Sequence, residues 1–259
     1  MSGNPRWSYV QARLQARHGE RLQETGWRAI EAARSLDQFI ERARGSRLRR
    51  FIEGVQARTS SHGIERVLRD AWRSYVTEVA GWVPEAWRQA VMWTSHVPEL
   101  PIIDALLKGA APKWIRQDPV FAALTETDLR KRSAALTNSL LYPLVASGAR
   151  EETLAVRWYT HWYSLWPQHR MADHKSALFD LAATINAHVE RLDRAGIQET
   201  SAAYRRDLAR SVTRIFRRHS GSPAAVFCHL ALVALDLERL RGDLIRRRRF
   251  EPSHATEAR

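Results

Sequence analysis

Apolar positions recur along this chain at intervals of three and four, and no run of apolar/polar alternation is long enough to suggest a sheet. The reading is all-α, a helical bundle of two packed subdomains. At about 100° per residue, "SYVQARLQARHGERL" (Ser8–Leu22) forms a first helix whose broad apolar arc holds Tyr9, Val10, Ala12, Leu14 and Ala16. Ser35 followed by Gln38 is a capping box opening "LDQFIERAR", which closes near Gly45. "TSSHG" then breaks the chain before a long helix over Ile64–Val83. Pro84 suits the first position of the next helix, "PEAWRQAVMW", and Pro98 and Pro101 bracket the turn into "IIDALLKG". Five more helices are predicted over Thr127–Ser147, Glu151–Trp166, Ser176–Ala195, Thr200–His219 and Pro223–Arg249, punctuated by Gly148, Pro167, Gly196 and "SGSP". The segment "GAAPKWIRQDP", Gly109–Pro119, is the expected boundary, giving an amino-terminal subdomain over 1–115 and a Trp-rich one over 120–259.

Charged residues break this pattern at three points. Arg13 and Arg17 fall inside the arc of the first helix. In the long helix, Glu78 lies at the edge of an arc built by Ile64, Val67, Leu68, Ala71, Trp72, Tyr75, Val79 and Trp82. An unpaired charge out of water is very unfavourable. Two readings stay open: a guanidinium–carboxylate pair inside the bundle, with Glu78 the first partner and Asp70 or Asp104 the next, or arginine stems that pack while their heads reach water. On the first reading, Arg13 and Arg17 serve mainly the packing of the first helix.

The 259 residues are 44% hydrophobic and 27% charged, enough to form real cores and unlike a disordered chain. The formal net charge is +13 and the sequence pI ≈ 10.8, a field that draws nucleic acid, anionic lipid or an acidic protein. Only four lysines (Lys108, Lys113, Lys131, Lys175) contribute, so the charge is almost all arginine, which arginine-rich codon usage would equally produce. Four of those arginines, Arg246, Arg247, Arg248 and Arg249, end the last helix, where they suit the helix dipole and could also contact a partner. The single Cys228 excludes an intrachain disulfide and multi-cysteine metal sites, which fits a reducing, cytoplasmic setting. Residues 1–30 show no signal peptide, and "PAAVFCHLALVAL" (Pro223–Leu235) is too short to span a bilayer, so membrane association would be peripheral, at the inner face.

The chain shows no Gly-rich phosphate loop, His-Glu-x-x-His or Gly-x-Ser-x-Gly elbow, so no catalytic residue, metal ligand or cofactor is assigned. His161, His169, His174 and His188 do not fall on one helical face beside a carboxylate. Cys228 reads as a buried thiol. Trp158, Trp162 and Trp166 recur at i, i+4, i+8 with Tyr159 and Tyr163 alongside, a spacing that fits a helix–helix core better than a base-stacking platform, since Leu154, Val156 and Leu165 share the segment.

"YVQARLQARHGERL" resembles the start of the C/d family of A/V-type rotary ATPase subunits, where a Tyr-x-x-Ala-Arg helix opens the chain; Tyr9, Ala12 and Arg13 carry the likeness. "TGWRAIEAARSLDQFIERAR" and "GIERVLRDAWRSYVTEVAGWVPEAWRQAVMW" are similar to the helices that follow in that family, so the resemblance runs from Trp7 to Gly109. It implies an all-helical fold without catalytic residues or cofactors, whose role is to dock the central rotor on the membrane ring. The expected function is thus a non-enzymatic coupling protein with rotor and ring proteins as partners. The alternative from charge alone is a basic helical adaptor for nucleic acid or another polyanion.

Overall fold

A computed structural model describes residues 5–109, 114–115, 118, 120–145, 152–167, 172–195 and 201–250. All regular structure among them is helical. The helices are α1 (Pro5–Gly19), α2 (Glu24–Glu31), α3 (Leu36–Arg44), α4 (Arg49–Ile52), α5 (Ser61–Ala80), α6 (Glu85–Trp93), a 3-10 turn (Thr94–Glu99), α7 (Leu100–Leu107), α8 (Ala122–Thr125), α9 (Leu129–Thr137), α10 (Tyr142–Val145), α11 (Leu154–Ser164), α12 (Ala172–Ala195), α13 (Ser201–Arg218) and α14 (Pro223–Phe250).

Local chemistry explains most boundaries. Ser35 Oγ accepts from Gln38 N, and Gln38 Oε1 accepts from Arg34 N, so the box closes α3 at its start from both sides. The long helix begins three residues earlier than its apolar pattern predicts. Ser60 is its cap, accepting from Gly63 N, so "SHG" lies within the first turn and not in a break. The single helix expected over Thr127–Ser147 divides into α9 and α10. Asp128 caps α9 through Arg130 N and Lys131 N, Asn138 ends it, and Pro143, with no N–H and a ring that clashes one turn back, prevents continuation.

The chain divides into two compact units, Met1–Val91 with Pro167–Arg259, and Met92–Trp166. This differs from the boundary read at Gly109–Pro119, most of which lies outside the described residues. The reason is α14. Its first half is apolar on every side, with Ala224, Ala225, Val226, Cys228, Leu230 and Leu232 at 2% exposure or less, so it must be surrounded. Helices α1, α3, α5, α12 and α13 pack against it, which returns the carboxy-terminal third of the chain to the amino-terminal helices. Trp72, Val76 and Val79 of α5 and Val10 and Leu14 of α1 belong to the same buried core.

The second unit is built from the 3-10 turn and α7–α11 around Trp93, Ile103, Phe121, Leu144, Trp162 and Trp166. Trp93 Nε1 donates to the Trp158 carbonyl at 3.0 Å, and Arg157 donates to the Leu144 carbonyl at 2.8 Å, fastening α11 to its neighbours. No described helix is long and apolar enough to cross a membrane.

Candidate functional site

The first helix is less buried than its pattern predicts. Only Val10 and Leu14 are fully buried, while Ala12, Arg13 and Ala16 are exposed and Tyr9 is 45% exposed. The buried line is completed by a polar residue, His18, whose ring stacks on Phe216 at 4.6 Å between centroids. Tyr9, Ala12 and Arg13 therefore form a surface, not a packing face, which corrects the mainly structural role read for Arg13.

That surface is ordered by stacked charge and aromatic rings. Arg13 Nε donates to Tyr9 Oη at 3.0 Å, and its guanidinium carbon lies 5.5 Å from the centroids of both Tyr9 and Trp82. The Arg6 guanidinium lies 6.0 Å from the Tyr9 centroid and caps the end of α5, donating to the carbonyls of Trp82 and Gly81. Trp82 is buried, so the row is anchored to the core at one end.

Arg17 turns the other way. Its Nη2 donates to Glu78 Oε1 at 2.8 Å, its Nη1 reaches Glu20 at 3.1 Å, and Arg50 holds the second Glu78 oxygen. Against the burial that would raise it, the Arg17 hydrogen bond and the Arg50 charge hold the Glu78 carboxyl below its usual range. The side chains of Arg17 and Glu78 keep 30% and 29% exposure, so solvent screens much of the attraction. Asp70 and Asp104 pair locally instead, with Arg73 and Lys108, each at 2.6 Å.

A more buried pair was not singled out in the sequence. Arg21 grips Asp236 with two hydrogen bonds, 2.7 and 2.9 Å, and also donates to the Leu232 carbonyl, with both side chains at 16% exposure. One turn further along α14, Arg239 lies 4.6 Å above the Trp27 ring and pairs with Glu24 and Glu31. These groups line a groove of about 730 Å³ between α2, α13 and α14, whose far wall carries Arg205, Arg206 and Arg210. The carboxylates in it are engaged by Arg21, Arg239 and Arg247, so the groove reads as a fastening of α14 to α2. The only sequence signal for Asp236 is a charge that interrupts an apolar run.

His229, within that run, is fully buried and hydrogen-bonded to Tyr75 Oη at 2.6 Å, while its Nδ1 has no hydrogen-bond partner. Burial drives its pKa down to about 3, with Arg21, His18, Arg17 and Arg50 adding to the shift, and burial pushes the Tyr75 phenol up to about 12. The neighbouring Cys228 thiol is likewise pushed up to about 12, so it is a packed thiol and a poor nucleophile. In the second unit His96 Nδ1 lies 2.8 Å from Glu99 Oε2, both buried, a pair for which the sequence offers no signal beyond the prolines of the turn.

The four terminal arginines separate in role. Arg247 points inward: it donates to the carbonyls of Glu31 (2.7 Å) and Ala33 (3.2 Å), pairs with Asp243 and lies 4.6 Å from the Phe39 ring. It caps the end of α2, with only 11% of its side chain exposed. Arg246 pairs with Asp243 at 2.7 Å, and Arg249 is exposed. Arg248 is half-buried. Arg247→Ala is expected to lower unfolding free energy by about 1–2 kcal/mol in urea denaturation, because two part-buried carbonyls lose a charged donor; Arg248→Ala is expected to change it by less than about 0.5 kcal/mol.

The tryptophans are structural. Trp162 and Trp166 are buried, Trp158 stacks on Trp162 at 5.7 Å, and Trp162 meets Trp166 edge-on at 4.8 Å. His161, His174 and His188 each pack on an aromatic ring, of Trp93, Trp87 and Tyr204 in turn, and His169 lies outside the described residues. Among the described residues no group of three His, Cys, Asp or Glu side chains could hold a metal ion. Comparison of the chain with models of protein families, with curated proteins and with solved structures gives no match.

Proposed function

We propose that this chain is a non-catalytic helical coupling protein, of the kind that docks the central rotor on the membrane ring of a rotary ATPase. The observation that carries the reading is the placement of Tyr9, Ala12 and Arg13. The residues in which the resemblance resides are displayed at the surface of α1, and Tyr9 and Arg13 are held rigid by each other, Arg6 and the buried Trp82. Tyrosine, arginine and tryptophan are the side chains that most often dominate protein–protein affinity, and rigidity lowers the entropy lost on docking. Arg17, Glu78 and Glu20 lie behind this surface and fix α1 on α5.

The test is recovery from the native host. Tagged protein, isolated from gently solubilised membranes at moderate salt, is expected to bring rotor or ring proteins with it. Tyr9→Ala with Arg13→Ala is expected to reduce that recovery at least about tenfold while leaving the thermal unfolding midpoint unchanged within about 2 °C, because both side chains are exposed. Absence of rotary-complex proteins from the wild-type preparation, or equal recovery by the double variant, would overturn the proposal.

A further inference from the structure

Helix α13 carries six arginines, Arg205, Arg206, Arg210, Arg214, Arg217 and Arg218, against a single acid, Asp207. Tyr204, Val212, Ile215 and Phe216 bury its inner face, which turns Arg206, Arg210, Arg214, Arg217 and Arg218 to the exterior, all of them exposed. Four of these recur at every fourth position, so their stems rise about 6 Å per step and cover about 18 Å of helix.

Many other arginines of the same unit are neutralised, while others, among them Arg13, Arg34, Arg58 and Arg66, are in no ion pair among the described residues. Arg17, Arg21, Arg50, Arg239, Arg241 and Arg247 are each in an ion pair. On α13, among the described residues, only Arg210 is, with Asp207. Arg214 donates to Ser211, Arg206 faces Glu24 beyond pairing distance, and among the described residues no carboxylate lies within 4.0 Å of Arg206, Arg214, Arg217 or Arg218. Among the described residues, α13 is thus left with one ion pair for six arginines.

The surface is also without an apolar grip. None of the large exposed hydrophobic side chains lies on α13. Protein partners are ordinarily held by buried aromatic or aliphatic anchors within a polar rim, and single-stranded nucleic acid by stacking on exposed rings. A linear row of guanidinium groups with neither feature fits an extended anion that is bound by charge alone. We propose that the α13 face is a binding site for the phosphodiester backbone of duplex nucleic acid, engaged without regard to base sequence through Arg206, Arg210, Arg214, Arg217 and Arg218. It is separate from the Tyr9–Arg13 surface, and its failure would leave the coupling reading standing.

The test uses the full chain and a fluorescein-labelled duplex DNA of about 20 base pairs and arbitrary sequence, long enough to span the row of phosphate contacts, followed by anisotropy between about 50 and 200 mM KCl. Five phosphate contacts predict a slope of log affinity on log salt near −4.5, a loss of about 10²–10³-fold over that range. Arg214→Gln, Arg217→Gln and Arg218→Gln together are expected to make the slope shallower by about 2 to 3 and to weaken binding at about 100 mM at least tenfold. The matched control is Arg49→Gln, Arg88→Gln and Arg241→Gln, exposed arginines in ion pairs whose removal changes net charge equally. It is expected to change affinity less than about threefold. The proposal is overturned by equal loss in both triples, which makes the binding a property of overall charge, or by no duplex binding at the lowest salt. It is equally overturned if the α13 triple abolishes binding to polyglutamate or to phosphatidylglycerol vesicles but leaves duplex binding intact.

Discussion

Asp236→Ala is expected to lower the unfolding free energy by about 3 kcal/mol, several times the effect of removing an exposed carboxylate such as Glu53. The mechanism is not loss of attraction alone. Arg21 and Asp236 are each only 16% exposed, and without its partner the guanidinium is a buried charge with the Leu232 carbonyl as its sole acceptor. Burial raises the Asp236 carboxyl above its usual range even with Arg21 against it, so desolvation outweighs the pairing. That balance makes a second, opposite expectation. Replacing both members together, Arg21→Met with Asp236→Leu, removes both desolvation penalties and is expected to recover most of the loss. Urea denaturation of the two singles and the double, read as a mutant cycle, checks both statements. A double variant as unstable as Asp236→Ala would show that the pair is net stabilising. Glu78→Ala, by the same reasoning, is expected to lose only about 1 kcal/mol, since water reaches Arg17 and Arg50.

Acid sensitivity is the other large effect. His229 is neutral in the folded protein, with its pKa driven down to about 3, whereas in the unfolded chain it titrates at about 6.5. A depressed histidine binds fewer protons when folded, so its contribution is fully present above about pH 6.5 and is lost as pH falls toward the folded value. The slope is about 1.4 kcal/mol per pH unit, giving a loss of about 3 kcal/mol at about pH 4.5 relative to pH 7.5. His18, His161 and His188 are lowered by burial and act in the same direction, while Asp236, raised by burial, acts in the opposite one. Glu24 and Glu78 are held low by their arginines and contribute only once pH enters the carboxylate range. The residue is isolated by comparing wild type with His229→Gln, which keeps a polar partner for Tyr75 but does not titrate. Denaturation at steps of about one unit between about pH 7.5 and 4.5 is expected to show the difference between the two proteins shrinking by about 3 kcal/mol. Parallel curves would place the acid sensitivity elsewhere.

Helix class and most helix ends were legible in the chain because they depend on residues a few positions apart. The Ser35–Gln38 box and the "SGSP" turn act within one turn of backbone. Where such reading failed, the deciding group was still local but ambiguous: Ser60 capped a helix in a stretch that also looks like a breaker, and Pro143 divided a helix whose apolar spacing continues past it.

Which face of each helix is buried was decided only by the tertiary structure. Tyr9, Ala12 and Ala16 are apolar enough to pack, yet they face outward. The core requires Val10 and Leu14, and Phe216 receives the His18 ring one turn on. The Arg17–Glu78 pair could be named as a candidate because both charges interrupt an apolar arc, but its half-exposure follows from where α5 and α1 meet. Arg21 with Asp236 and Tyr75 with His229 join residues 215 and 154 positions apart, distances over which periodicity carries no information. The same limit hid the course of the chain. A run of thirteen mostly apolar residues can be read from sequence as too short for a membrane, but that it becomes the helix around which five others pack depends on all of their faces at once. Charge composition likewise fixes how much arginine there is, while which arginines meet a carboxylate, as Arg17, Arg21 and Arg239 do, and which line the exposed face of α13 is a property of the folded surface alone.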